Sequence, residues 1–146
     1  MTTIPIKKLR EGAVLPTYAT ADSAGADLYA CMDAPVTIRS HDTIMIPLGF
    51  SMALPKGWVG LIYARSGLAY SQDLAPANKV GVVDADYRGE WFIPLHNHGL
   101  RTRVVEPGTR IAQLVIVPCM TAAFFEVDSL DETERGAGGF GSTGTN

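Results

Sequence analysis

Two aspartates near the middle of the chain have the residue type and spacing that could support hydrolysis. Asp84 and Asp86 lie two positions apart in Gly81–Gly89, where a short apolar run precedes Asp84. Residues two apart share one face of an extended segment. A carboxylate at the end of an apolar strand can act as a general base toward water. A hairpin turn in which Asp86 bonds to local backbone would explain the same pattern.

A second polar segment could bind an anion. Arg65, Ser66 and Gly67 follow an apolar run, and Ser66 is the expected cap of a short helix over Gly67–Ser71. The free N–H groups at a helix N-terminus attract phosphate. A capped turn with a surface arginine is the simpler alternative.

Asp27 and the pair His96 and His98 are the candidates for metal binding. An isolated aspartate such as Asp27 is a candidate for metal binding only if a metal–phosphate complex lies beside it. Two histidines at alternate strand positions can share a metal, as in cupins. The glutamate and third histidine of a cupin site do not follow His98 in the required order. We therefore expect a strand end there, not a metal centre.

The C-terminal tail combines glycine with single specific side chains. Composition changes at about Ser129, and the last twelve residues include five glycines with Arg135 and Phe140 among them. Such a segment cannot form a core and costs much entropy to order, so a frayed end is the ordinary interpretation. Free backbone N–H groups beside an arginine also suit an anion-binding loop.

Composition limits the partners that this chain could bind. It has 146 residues, 47% of them apolar, and a net charge of −3, which fits one folded domain. The negative charge argues against general binding of nucleic acid or anionic membranes. The sequence shows neither a signal peptide nor a membrane span, so we expect a cytoplasmic protein. Cys31 and Cys119 are expected to be buried and reduced.

Short alternating or β-branched segments separated by Gly and Pro predict an all-β fold, either a sandwich, a barrel or a jelly roll. The expected strands are Ile4–Leu9, Asp27–Ala30, Val36–Ile38, Thr43–Ile46, Trp58–Ala64, Trp91–His96, Thr102–Val105, Arg110–Val117 and Ala122–Val127. We predict a catalytic domain over residues 1–128 and a C-terminal arm over 129–146.

Taken in order, these segments resemble the homotrimeric dUTPase (dUTP diphosphatase) family. The motifs that carry the resemblance are Ala24–Ala30, Arg65–Gly67, Gly81–Gly89, Arg110–Leu114 and Arg135–Gly144. The resemblance implies a β jelly roll or distorted barrel with one short helix and a flexible C-terminal arm. It also implies a homotrimer whose active sites are shared, each arm closing over a site of a neighbouring subunit.

The resemblance further implies hydrolysis of dUTP to dUMP and pyrophosphate with Mg²⁺. Asp84 would activate the water that attacks the α-phosphorus, while Asp27 would face the ion through water and the phosphates would bind it directly. Asp86 and Arg88 match the motif as structural residues. Ala64 stands where many relatives have proline, which loosens that turn.

The same resemblance assigns the substrate contacts. The triphosphate would meet Arg65, Ser66, Gly67 and Gln113. The uracil edge would form hydrogen bonds with Asn78 and with the backbone between Gly81 and Val83. Tyr87 would pack under the deoxyribose. In the arm, Arg135 would bind the γ-phosphate, Phe140 would stack on uracil, and Gly141, Ser142 and Thr143 would lie along the phosphates.

Two alternatives remain open from the sequence. A dCTP deaminase shares the jelly roll but needs a glutamate at the base, where this chain has the dUTPase-type Tyr87. A non-catalytic trimeric nucleotide-binding regulator would have less need of both Asp84 and the arm.

Overall fold

The computed structural model describes residues 3–139, which form eleven strands and one short helix. The strands are β1 (Ile6–Lys8), β2 (Ala26–Tyr29), β3 (Val36–Ile38), β4 (Thr43–Pro47), β5 (Phe50–Met52), β6 (Trp58–Tyr63), β7 (Leu74–Pro76), β8 (Gly81–Val83), β9 (Phe92–Asn97), β10 (Arg103–Val105) and β11 (Arg110–Pro118), and the helix α1 is Ser66–Gln72.

The strands form four antiparallel sheets around one core. The largest has the order β2-β11-β6-β8, the next β4-β9-β7, and the pairs β1-β5 and β3-β10 complete the set. Side chains from all four sheets join a single buried cluster that includes Leu28, Ile38, Phe50 and Leu95. The all-β class with one short helix is therefore confirmed, and the described sheets stay open, without closing into a barrel.

Alternation of side chains along β9 shows why these residues form strands. Ile93, Leu95 and Asn97 are all fully buried, while the residues between them are more exposed. The amide of Asn97 is satisfied there, because its Nδ2 donates to Ile38 O at 3.1 Å and Arg101 O at 2.7 Å. A buried amide with partners on two elements fixes how the sheets meet.

A β-bulge interrupts the pairing of β11 with β2. Arg110 pairs with Tyr29, but Ala112 pairs with the next residue, Leu28, so Ile111 is the extra residue. Ile111 and Ala112 are both fully buried, which a regular alternating strand would not allow. The bulge therefore places the side chain of Arg110, which precedes it, on the opposite face of the sheet from the one that a regular strand would give it.

Most of the expected strands are confirmed, with boundaries that agree to within two residues. The strands β5, β7 and β8 were missed because each is only three residues long and lies beside a turn. The expected cap was also wrong. Ser66 is the first helical residue of α1, Arg65 is the N-cap, and it makes no side-chain capping hydrogen bond.

The expected strand Ala122–Val127 is wrong for the single chain. Residues 119–139 contain no helix or strand. Met120, Phe124, Phe125 and Leu130 are between 84% and 96% exposed. The segment has strand-forming residues but, within residues 3–139, no backbone partner to pair with.

The expectation for the cysteines was half wrong. Cys31 is buried, and burial raises the pKa of its thiol. Cys119 is exposed, because it lies just beyond the end of β11.

Gly49 is a position where backbone conformation and close packing both require glycine. Its φ is +74°, and an added Cβ would lie 2.6 Å from Cys31 Sγ and 2.8 Å from Ala13 Cβ. We expect Gly49→Ala to lower the free energy of unfolding by about 3 kcal/mol, from the positive φ and from overpacking together. Urea denaturation measures this change.

Gly57→Ala is the matched control, since its φ is +81° but no atom lies within 4 Å of the added Cβ. That variant should lose only about 1–2 kcal/mol. Equal losses in the two variants would contradict the packing part of the argument.

Candidate active site

A cavity of about 350 Å³ opens where β2, β11, the end of β6 and the start of α1 meet. We call it the arginine pocket. It is lined by Ala19, Ser23, Ala24, Gly25, Asp27, Arg65, Ser66, Gly67, Arg110 and Gln113. The structure thus brings together five of the predicted site residues, from three segments that are distant in sequence.

Asp27 is the central group of the arginine pocket. It is only 9% exposed, and each of its carboxylate oxygens accepts a hydrogen bond from an arginine. Arg65 Nε donates to Oδ1 at 2.7 Å, and Arg110 Nη1 donates to Oδ2 at 3.1 Å. Two guanidinium groups around one carboxylate leave the pocket with a net positive charge, which suits an anion.

Gln113 is held in the wall of the pocket. Its Nε2 donates to Ala64 O at 2.9 Å, so the side chain ties β11 to the end of β6. The backbone of Gly25 approaches it closely, since an added Cβ there would lie 2.5 Å from Gln113 Oε1. Glycine at position 25 therefore leaves the amide oxygen of Gln113 its space.

Asp84 lies in a different concavity, which we call the aspartate pocket. This cavity of about 650 Å³ is lined by Leu54, Lys56, Gly57, Trp58, Val59, Asp84, Ala85, Asp86, Arg88, Cys119 and Thr121. Asp84 and Asp86 are both exposed. No residue lines both pockets, so one chain does not place Asp84 and Arg65 in the same cavity.

The residues after Asp84 form a compact turn. Tyr87 N donates to Asp84 O at 3.2 Å, and the Tyr87 hydroxyl donates to Glu90 O at 2.9 Å. The ring packs against Gly89, where any Cβ would clash with the phenol. Arg88 Nη1 donates to Ala85 O at 2.7 Å. The local bond that the hairpin-turn alternative assigns to Asp86 is absent from the hydrogen bonds found within residues 3–139, where Arg88 closes the turn instead.

The segment expected to bind a base is the turn between β7 and β8 together with β8, and these two strands belong to different sheets. Gly81 and Val83 pair with Ile62 and Gly60 of β6. Asn78 is exposed in the turn, and its Nδ2 would lie 3.3 Å from a Cβ added at Gly81. The turn and β8 therefore present backbone and one amide at the edge of the largest sheet.

Arg135 makes a local contact in the described part of the tail. Its Nε donates to Gly138 O at 2.9 Å, within a turn that begins at Thr133. The other predicted arm residues, Phe140, Gly141, Ser142 and Thr143, lie outside the described residues.

The three histidines lie close together, away from both pockets. His96 Nδ1 and Thr43 Oγ1 are 2.8 Å apart, and the ring centroids of His96 and His98 are 4.4 Å apart. Partial burial, followed by the charge of His96, lowers the pKa of His98. Among residues 3–139, no group of three potential metal ligands has the required geometry.

Sequence reasoning missed the role of Arg110 in the pocket, although the residue begins the motif that contains Gln113. The two residues are three apart, so a regular strand would place them on opposite faces. Only the bulge in β11 brings both to the arginine pocket.

The fold and the two pockets define the class of protein to which this chain belongs. Residues 3–139 form an all-β domain that carries one cavity whose positive charge suits an anion and a separate cavity with exposed carboxylates. The helix α1 in this part of the chain lacks the length and hydrophobicity to cross a membrane.

Comparison with known sequences places the chain within that class. The family model described as dUTPase matches residues 11–144. The deoxyuridine 5'-triphosphate nucleotidohydrolase of Syntrophotalea carbinolica is 46% identical over 142 residues, which is 97% of each chain. The enzyme of the same name from Maricaulis maris is 47% identical over 99% of each chain. The chain belongs to the dUTPase family.

Solved structures agree with this assignment. A variant of the Staphylococcus bacteriophage 80alpha dUTPase with dUpNHpp superposes with a TM-score of 0.91 at 27% identity, covering 99% of this chain and 100% of that one. A second structure of that phage dUTPase with dUpNHpp gives a TM-score of 0.90 at 28% identity. The predicted dUTPase-like jelly roll is therefore confirmed.

Proposed function

We propose that the chain hydrolyses dUTP to dUMP and pyrophosphate. The observation that carries the proposal is the arginine pocket, in which Arg65 and Arg110 flank Asp27 beside Gln113. Its positive charge suits the triphosphate of a nucleotide. Membership of the dUTPase family supports deoxyuridine as the nucleoside, and the phage dUTPase that holds dUpNHpp supports a triphosphate ligand.

The phosphates would be bound by groups that are already oriented. Arg65 is anchored through Nε, and its side chain is still 26% exposed, so its guanidinium has donors to offer from a fixed position. Ser66 and Gly67 are exposed beside it, and a Cβ at Gly67 would meet no atom within 4 Å. A ligand can therefore approach this backbone closely. Gln113 adds its amide from β11.

The pocket fits Mg²⁺ only as an ion delivered by the phosphates. Asp27 is the one acidic side chain in the lining, and both of its oxygens already accept hydrogen bonds from arginines. Mg²⁺ usually keeps several waters and binds one or two carboxylates together with substrate phosphates. Asp27 would face the ion through such a water, and the ion would neutralise charge on the phosphates.

The base and the sugar would be held by the β7–β8 turn with β8, and by the turn that follows β8. Asn78 and the backbone of Gly81–Val83 would hydrogen-bond the uracil edge. The ring of Tyr87 is 45% exposed and is fixed through its hydroxyl, so it can support the deoxyribose and exclude a 2′-hydroxyl. A backbone-lined pocket rejects a wrong base by steric clash and by unpaired polar groups.

Asp84 would act as the general base. Its exposed carboxylate would accept a proton from a water as that water attacks the α-phosphorus in line with the bond to the leaving pyrophosphate. The new P–O bond gives dUMP, and the breaking bond releases pyrophosphate. Phosphoryl transfer depends mainly on positioning and charge neutralisation, so one carboxylate, the arginines and the Mg²⁺ carried by the phosphates would supply what the reaction needs.

We place the complete site between copies of the chain, in a homotrimer. The aspartate pocket and the arginine pocket of one chain share no lining residue, which supports a site completed by a neighbour. The exposed apolar side chains of Met120, Phe124, Phe125 and Leu130 support burial against another copy. The arm, residues 129–146, would close over a neighbouring site, with Arg135 on the γ-phosphate.

A pyrophosphate-release assay with Mg²⁺ tests the activity directly. We expect turnover of dUTP and little turnover of dTTP, dCTP or UTP, because the Asn78–Val83 segment would select the base and Tyr87 the sugar. Uridine nucleotide formation from dCTP would indicate a deaminase instead, and tight dUTP binding without pyrophosphate release would indicate a regulator.

Asp84→Asn should keep nucleotide binding and lower kcat by about 10²–10⁴-fold, because the water loses its proton acceptor. Asp86→Asn is the matched control, since Asp86 is exposed in the same pocket. Steady-state kinetics and dUTP titration measure both effects. Equal losses of kcat in the two variants would contradict the assignment of Asp84 as the general base.

Mixing two inactive variants tests the shared site. Asp84→Asn and Arg65→Gln chains, unfolded together and refolded, should recover activity, because about one quarter of the sites in random trimers would combine an intact Asp84 with an intact Arg65. Each variant refolded alone is the control. Recovery no greater than the sum of the controls would mean that each chain builds its own site.

A further inference from the structure

The bulge in β11 brings a second arginine to the pocket wall. Arg110 pairs with Tyr29 before the bulge, and Gln113 pairs with Asp27 after it. Because Ile111 is the extra residue, both Arg110 and Gln113 reach the same cavity although they are three positions apart. Bulges often redirect a side chain next to a functional site.

Arg110 has more free donor surface than Arg65. Its side chain is 50% exposed, against 26% for Arg65. Within residues 3–139, its guanidinium makes one hydrogen bond, from Nη1 to Asp27 Oδ2. A guanidinium carries five N–H donors in a planar fork, so most of those on Arg110 face the cavity or solvent.

The charge of the pocket depends on Arg110. Apart from Asp27, Arg65 and Arg110, the residues that line the pocket carry no charged side chain. With both arginines the cavity has an excess of one positive charge, and without Arg110 the pair of Asp27 and Arg65 is neutral. A neutral pocket would lose its electrostatic preference for a polyphosphate.

We propose that Arg110 binds a substrate phosphate directly and that Asp27 is the positioning residue that aims it. This inference rests on the proposed function, because it names the triphosphate of dUTP as the group bound. Asp27 holds the two arginines on separate oxygens beside one cavity, so remaining donors of both would be available to the same anion. The alternative is that Arg110 only neutralises Asp27 and stabilises the strand pair β2–β11.

Arg110→Gln tests the proposal in the full chain. We expect the KM for dUTP and the Kd for inorganic tripolyphosphate each to rise by at least about tenfold, since a charge-assisted contact to the phosphates is lost. The kcat should change less than KM. Arg110→Lys should recover part of the affinity, because it keeps the charge without the fork. Calorimetric titration and steady-state kinetics measure these constants.

Arg39→Gln is the control, because Arg39 is an exposed arginine outside both pockets. It should leave KM and tripolyphosphate affinity unchanged. If Arg110→Gln does not fold, Arg110→Met keeps the aliphatic stem and replaces it in the same titration. An Arg110 variant that is folded, with a lower Tm but wild-type tripolyphosphate affinity, would overturn the proposal in favour of the bracing role.

The two hypotheses fail in different ways. A wild-type chain that releases no pyrophosphate from dUTP would overturn the proposed function. Tripolyphosphate binding that still depends on Arg110 would then support the anion contact on its own. A wild-type chain that hydrolyses dUTP while Arg110→Gln matches it in KM would overturn only the role of Arg110.

Discussion

Strand β11 must pair with two neighbours at once, and the rest of the site depends on how it does so. It runs antiparallel to β6 in regular register from Gln113 to Pro118, and antiparallel to β2 with one extra residue. The regular part, from Gln113 to Pro118, pairs with β6 in the largest sheet. The bulged half brings Arg110 to the face that Gln113 already occupies. One strand thus serves both packing and the composition of the pocket.

Asp27 lies on β2, beside β11, and its carboxylate lines the arginine pocket. A carboxylate that is 9% exposed would be costly to bury without compensation, and two arginines from other segments provide it. The same contacts restrict the rotation of Arg65 and Arg110, so a ligand need not order them on binding. Removing either arginine changes both the environment of Asp27 and the charge of the cavity. Under the proposed function, stability and anion binding would therefore be coupled at this residue.

The separation of the two pockets explains why a single chain would be incomplete as a catalyst under the proposed function. The aspartate pocket offers an exposed base and no arginine that is free of local backbone contacts, since Arg88 closes its own turn. The arginine pocket offers positive charge, and its acidic group is already paired. An oligomer that brings unlike pockets together would supply both, and an arm from another copy could cover the bound nucleotide.

The sequence by itself determined the all-β class, most strand positions, the short helix after Arg65 and the motifs of the family, because alternation, turn residues and short motifs are local signals. It did not reveal the strands β5, β7 and β8, the exposure of Cys119, or the absence of a partner for Ala122–Val127 within the described chain. Only the tertiary structure decided which motif residues meet. Arg110 joins Asp27 through a bulge set by register, and Asp84 lies apart from Arg65, because both results depend on the pairing of segments distant in sequence.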